Sequence, residues 1–171
     1  MSVACVKLYD DTIVLGADSI MIYGDMQEKN KDAKIRKIND YSGFASAGFA
    51  KEIEFFNIFC KTHQPSRNTI EGIIDYFFEF SNWKKKKIDD DKIENQYIFV
   101  YKGKSYSFYE YHVVEIKDFY AIGAGYQYAT TALYLNHTVE QAIKISCSLS
   151  IYCEMPANIF EFHKETLDEN K

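Results

Sequence analysis

Gly16-Ala17-Asp18-Ser19 closes a β-prone run that opens at Thr12, and its carboxylate stands sixteen residues after Ser2 and sixteen before Lys34. Upstream, Val3–Leu8 and Thr12–Leu15 are short strand-like runs parted by Asp10-Asp11, which reads as a hairpin. Downstream, Ser19–Tyr23 and Lys34–Ile38 read as two more strands. Gly43–Gly48 is a run of small residues, too rich in Gly, Ala and Ser for an ordinary strand interior. The period then changes. Phe49, Ile53, Phe56 and Cys60 recur at helical spacing, as do Ile70, Ile73, Ile74, Phe77 and Ser81, with His63–Asn68 as the connecting loop.

Trp83-Lys-Lys-Lys-Lys87 followed by Asp89-Asp-Asp91 reads as a solvated helix end and loop. Gln96–Tyr101 and Ser105–Val114 read as two strands about a Lys102-Gly103-Lys104 turn, with Tyr106, Phe108, Tyr109 and Tyr111 packing a sheet face. Phe119–Ile122 is another strand, and it ends at Gly123-Ala124-Gly125. A helix follows from Tyr126 to Leu135. A second starts at Thr138, where Gln141 three residues on completes a capping box, and Ala142, Ile143, Ser146 and Ser150 continue its buried stripe. Ile159–Phe162 is a last strand, and 164–171 a frayed tail. Strands, two helices, strands, two helices and a closing strand indicate an α+β fold rather than a doubly wound sheet. Two antiparallel sheets face to face with a helix pair outside each bury every stripe. The expectation is one domain over 1–171, a four-layer αββα sandwich.

Composition sets the limits on function. The chain has 171 residues and a net charge of −5, so no basic field marks it for nucleic acid. Its cations are nearly all Lys, and Arg36 and Arg67 are its only guanidinium groups for clamping a phosphate. No apolar run approaches the roughly 18 residues that span a membrane, and Met1–Lys7 lacks the pattern of a secretory signal. Cys5, Cys60, Cys147 and Cys153 form no CxxC pair, and His63, His112, His137 and His163 lie far apart. Metal or redox spacing is absent, reduced thiols are the default, and Cys5 inside a strand reads as a buried, inert thiol.

Four positions in register carry chemistry: Ser2, Asp18, Lys34, and Gly48 at the end of Ala45-Ser46-Ala47-Gly48. With Ile122-Gly123-Ala124-Gly125, Thr138-Val139-Glu140-Gln141-Ala142 and Ser150-Ile151-Tyr152-Cys153 downstream, the chain resembles the proteasome β-subunit family over almost its whole length, and most of all the bacterial HslV branch. Read alone, Ser2 is a solvated or strand-capping hydroxyl, Asp18 and Lys34 a structural ion pair, and Gly48 a turn. Their joint register favours a site. The resemblance implies the N-terminal-nucleophile (Ntn) hydrolase fold and peptide-bond hydrolysis by Ser2 once Met1 is removed. A hydroxyl attacks poorly until a base takes its proton, and a free α-amine of pKa about 7.7–8.0 can be that base. The resemblance implies that Lys34 lowers the pKa of hydroxyl and amine, that Asp18 holds Lys34 charged and oriented, and that Gly48 gives a backbone N–H to the oxyanion. Ser46 and Ala47 would border the first substrate pocket.

The chain departs from the family in places. Ser2 stands where the family carries Thr, and it lacks the β-methyl that restricts χ1. Ala124 stands where a Ser often assists the amine, and Ser150 and Cys153 where proteasomes carry Asp and Ser. The resemblance requires no cofactor. It does imply a place for a monovalent or divalent cation at main-chain carbonyls of Cys147, Ser150 and Cys153. It further implies a cytoplasmic homo-oligomer of two stacked hexamers, a dodecamer, fed with protein or peptide by an AAA+ unfoldase ATPase, with no nucleic acid or membrane as partner. A catalytically silent ring subunit and a small-amide Ntn hydrolase remain the alternatives.

Overall fold

The computed structural model describes residues 2–29 and 34–164, and the backbone alone at Tyr23 and Lys29. Met1 and the tail beyond 164 lie outside them. The elements are β1 (Ala4–Leu8), β2 (Thr12–Ala17), β3 (Ile20–Tyr23), β4 (Met26–Lys29), β5 (Ile35–Asn39), β6 (Ser42–Ala47), α1 (Ala50–Cys60), α2 (Ile70–Ile88), β7 (Gln96–Tyr101), β8 (Lys104–Tyr109), β9 (His112–Ile116), β10 (Phe119–Ile122), α3 (Tyr126–Tyr134), α4 (Val139–Leu149) and β11 (Asn158–His163). They form an antiparallel sheet in the order β10-β1-β2-β11, a second in the order β5-β6-β7-β8-β9, and a separate β3-β4 hairpin. The expected αββα sandwich is what forms. No helix among the described residues is long and apolar enough to cross a membrane.

Period two sorts the side chains between layers. Ala4 and Val6 of β1, Ile13 and Leu15 of β2, Ala45 of β6 and Ile98 and Val100 of β7 fill the space between the sheets. Their neighbours Val3 and Cys5 turn outward onto α3 and α4. Phe44, Tyr97, Phe99, Tyr106 and Phe108 turn outward onto α1 and α2, where they meet Phe56, Phe59, Phe77 and Phe80. The aromatic excess thus goes largely into one layer. Aliphatic and small residues fill the inter-sheet space.

Three expectations are corrected. The small-residue run is a central strand, β6, buried along its whole length between β5 and β7. Its residues are small because both faces are covered: a Cβ on Gly43 would come within 2.5 Å of the Phe162 ring. The run Ser105–Val114 is two strands, β8 and β9. Glu110 and Tyr111, at φ of 50° and 61°, make the left-handed two-residue turn between them. The lysine block is only partly solvated. Lys84 is buried and pairs with Glu52 and Asp90, while Lys85–Lys87 remain exposed. The β4 strand was not anticipated.

Helix ends follow local chemistry. The Thr138 hydroxyl accepts from the Gln141 N–H at 3.2 Å, and the Gln141 side chain accepts from the Thr138 N–H at 3.0 Å, the expected capping box. Gly16 lets α4 close on β2, since a Cβ there would meet Val139 and Ile159 at 2.6 Å.

Phe56 is the centre of the aromatic layer, with its ring centroid 4.7–4.9 Å from those of Tyr97, Phe44 and Phe80. Truncating such a side chain leaves a cavity that packed neighbours cannot fill. Phe56→Ala is expected to lower the unfolding free energy by about 3–5 kcal/mol in urea titration.

Candidate active site

The site lies where the ends of β1, β2, β6 and β10 converge. Strand pairing continues one step past β1 and β2. The Asp18 N–H donates to Val3 O at 3.0 Å, and the Val3 N–H donates to Asp18 Oδ1 at 3.0 Å. Asp18 therefore lies beside the residue that follows Ser2. Its Oδ1 also accepts from Lys34 Nζ at 2.7 Å, and its Oδ2 from the main-chain N–H groups of Glu154 at 3.1 Å and Ile20 at 3.4 Å. Four donors surround a carboxylate that is fully withdrawn from water.

Lys34 is buried as well. Burial pushes its ammonium below the ordinary 10.5, and the Asp18 charge and hydrogen bond oppose that fall. Its carbonyl accepts from the Ser46 N–H at 2.8 Å, which fixes β6 beside it. Two residues on, Gly48 follows the last residue of β6 at the same end of the strand. Gly48 has φ of +148°, and a Cβ there would strike Asn95 Oδ1 at 2.0 Å, so glycine is required for conformation and for space.

Ser2 is buried, and its carbonyl accepts from the Gly125 N–H at 3.1 Å. Gly123, at φ of +85°, packs against that carbonyl, which a Cβ would meet at 2.4 Å. Ser2, Lys34, Ser46 and Gly48 line one cavity of about 160 Å³, with Ile20, Met21, Phe49, Ala50 and Ile53 as its apolar walls. Asp18 stands behind Lys34. Ala47, expected at the border of the first substrate pocket, does not line this cavity and packs in the inter-sheet core instead. Ala124 is exposed.

Of Cys147, Ser150 and Cys153, it is Cys153 that packs on the Gly123–Gly125 turn. A Cβ on Gly125 would sit 2.6 Å from Cys153 Sγ. The Ser150 carbonyl accepts from the Cys153 N–H at 3.2 Å. Ser150 lies just beyond α4 and is half-buried, so it does not extend the buried stripe of that helix. Cys147 is in the last turn of α4, where carbonyls have no partner within the helix, and the electronegative helix end suits a hard cation better than the two thiols do. Among the described residues, no group of three or more His, Cys, Asp and Glu side chains could hold a metal. Burial pushes the thiols of Cys5, Cys60 and Cys147 up to about 12 and raises that of Cys153, so none supplies a thiolate near neutrality.

Sequence reasoning missed Asn95 and Gln96. Asn95 Oδ1 accepts from the Phe49 N–H at 2.6 Å, and Gln96 Oε1 accepts from the Gly123 N–H at 3.1 Å. In the sequence Gln96 reads only as the first residue of a strand, and nothing singles out Asn95.

No family model matches the sequence, and no curated protein matches it. Solved structures do. The chain is similar to Thiobacillus denitrificans BPH in complex with epoxomicin, with a TM-score of 0.82, 17% identity and 94% of this chain and 98% of that chain covered. Against Thiobacillus denitrificans BPH the values are 0.81 and 18%, over 96% and 99% of the two chains. Against eukaryotic HslV from Trypanosoma brucei they are 0.70 and 16%, over 94% and 99%. At these identities the likeness is one of fold, and it extends over nearly the whole of each chain.

Removing one partner of a buried ion pair strands the other charge. Asp18→Asn is expected to cost about 3–5 kcal/mol of unfolding free energy by urea titration at neutral pH. The Lys34 shift has its own signature. Because the folded pKa lies below the unfolded 10.5, the unfolded chain binds more protons between the two values, and the contribution of Lys34 to stability rises with pH across that window. The stability difference between wild type and Lys34→Met, followed by urea titration from neutral to alkaline pH, is expected to move in favour of wild type.

Proposed function

We propose that this chain is the peptidase subunit of a self-compartmentalising, proteasome- and HslV-like Ntn protease, with Ser2 as its nucleophile after removal of Met1. The observation that carries this reading is the shared cavity: Ser2, Lys34 and Gly48 line it together, and Asp18 holds Lys34 from behind. The fold shared with BPH and HslV supports it.

In this mechanism the Ser2 Oγ attacks the scissile carbonyl carbon while the free α-amine of Ser2 takes the hydroxyl proton. The carbonyl oxygen becomes an oxyanion and accepts a hydrogen bond from the Gly48 N–H. The α-ammonium returns its proton to the leaving amine as the carbon–nitrogen bond breaks, leaving an ester on Ser2. Water, deprotonated by the same amine, attacks the ester and frees the acid. Lys34 stabilises the ionised oxygen and keeps the amine from holding its proton too tightly. The apolar walls suit an apolar substrate side chain on the acyl side of the scissile bond, with Ser46 at the border of that pocket.

No cofactor enters this scheme. A monovalent or divalent cation at the carbonyls of Cys147, Ser150 and Cys153 would brace the turn beneath Gly125. A chain of this size encloses no chamber alone, so the reading includes a cytoplasmic homo-oligomer of stacked rings, a dodecamer in the HslV pattern, fed by an AAA+ ATPase. The exposed Tyr134, Leu135, Leu149 and Ile151 supply apolar surface for such contacts.

The test is labelling of the purified protein with a peptide epoxyketone, followed by mass spectrometry of the N-terminal peptide. A free Ser2 amine and an adduct on Ser2 are expected. Ser2→Ala is expected to lose the adduct and at least about 10³-fold in kcat on short peptides. The wild-type kcat is expected to rise with pH as the amine loses its proton, with a midpoint below the roughly 7.7–8.0 of an unperturbed α-amine because the Lys34 ammonium lies beside it. A retained Met1 with no adduct would instead support a silent ring subunit, and turnover of acyl amides in preference to peptides would support the small-amide hydrolase.

A further inference from the structure

The Gly48 turn does not hold its own shape. Phe49 occupies the N-cap of α1 and has no side-chain oxygen with which to cap it. Asn95, just before β7, binds the main chain of Phe49 instead. Its Oδ1 accepts from the Phe49 N–H at 2.6 Å, while its Nδ2 donates to Phe49 O at 3.0 Å and to Ser46 Oγ at 3.3 Å. The side chain thus grips the residues on both sides of Gly48, and its oxygen fills the space that a Cβ on Gly48 would need.

Asn95 is itself immobilised. It is completely buried, and its N–H donates to Glu52 Oε1 at 3.0 Å. The Glu52 carboxylate also accepts from Tyr97 OH at 3.0 Å, the Glu94 N–H at 3.1 Å and Lys84 Nζ at 3.2 Å. The next residue braces the opposite wall. Period two sends the Gln96 side chain to the other face of the sheet, where Oε1 accepts from the Gly123 N–H. Gly123 packs on the Ser2 carbonyl.

We propose that Asn95 is a positioning residue that aims the Gly48 N–H at the cavity holding Ser2, and that Gln96 holds the Gly123 turn against Ser2 in the same way. This rests on the reading of Ser2 as nucleophile and Gly48 as oxyanion donor. Neither amide touches the reacting atoms. Asn95 acts on the rate through the geometry of one donor and does not itself line the apolar pocket, so it alters transition-state stabilisation more than uniform binding.

The test uses the full-length chain, wild type against Asn95→Ala, Asn95→Asp and Gln96→Ala. Amide hydrogen exchange is read residue by residue, alongside peptide hydrolysis. In Asn95→Ala the Phe49 amide is expected to exchange at least about tenfold faster, with Ile98 and Val100 of β7 unchanged as the control for folding. Its kcat is expected to fall about 10–100-fold with KM within about threefold, less than the 10²–10³ that loss of an oxyanion donor itself costs. Asn95→Asp keeps the acceptor for Phe49 and loses both donors, so it falls between the two. Gln96→Ala is expected to speed exchange at Gly123 and to spare Phe49. Unchanged exchange at Phe49 in Asn95→Ala overturns the proposal, as does a rise in KM at constant kcat. A wild-type protein that neither hydrolyses peptide nor takes the epoxyketone fails the functional reading instead. The exchange rates then decide the brace by themselves.

Discussion

A carboxylate removed from water must be given as many donors as water would have offered, and Asp18 receives four. They come from Val3, Ile20, Lys34 and Glu154, four separate places along the chain. The charge is tolerable only when β1, the start of β3, the entry to β5 and the segment before β11 are all in place. The site is therefore not an addition to a finished fold. Lys34 carries the constraint across to the other sheet, because its ammonium meets Asp18 while its carbonyl takes the Ser46 N–H. One ion pair locks the ends of the two sheets in the register that brings Ser2 and Gly48 to one cavity.

The same solution occurs a second time on the other side of β6. Glu52 is buried with Lys84 and, like Asp18, fills its carboxylate with four donors. One of them is the N–H of Asn95, whose side chain holds Phe49. Each wall of the cavity near Gly48 is thus backed by a lysine–carboxylate pair and by main-chain N–H groups. Breaking either pair leaves an uncompensated charge, so both resist substitution of a single partner. Pairs of this kind add little net stability over apolar packing. What they supply is a fixed geometry for the backbone next to them.

The legibility of the fold follows from how locally each feature is determined. α1 and α2 announce themselves because one face of each is apolar at a 3.6-residue period, and the Thr138–Gln141 box because both its bonds lie within one helical turn. β6 was unreadable because burial on both faces removes the alternation by which strands are recognised, and small residues then look like a turn. The β8–β9 turn was hidden because Glu110 and Tyr111 take left-handed conformations that usually go to Asn or Gly. Lys84 looked solvated because its partner Glu52 is thirty-two residues away. Asp18, Lys34 and Gly48 were found through their register with a known family, and Asn95 and Gln96, outside that pattern, were invisible.

The thiols bear on how the site can do chemistry at all. Cys147 and Cys153 lie near Lys34 and Asp18, close enough for their charges to be felt, and an ammonium beside a thiol commonly makes a nucleophile of it. Here desolvation outweighs that attraction, and the Asp18 carboxylate, already paired with Lys34, acts against ionisation of both thiols. The electrostatics that Lys34 could lend to sulfur are spent on the carboxylate. A hydroxyl with its own amine is not bound by that balance. It reaches the transition state by passing a proton locally rather than by carrying a standing negative charge in a dry site. On the proposed reading of Ser2 as nucleophile, a buried lysine neutralised by a buried aspartate suits that chemistry, because the field is needed only while an oxyanion exists and must not trap an anion before a substrate arrives.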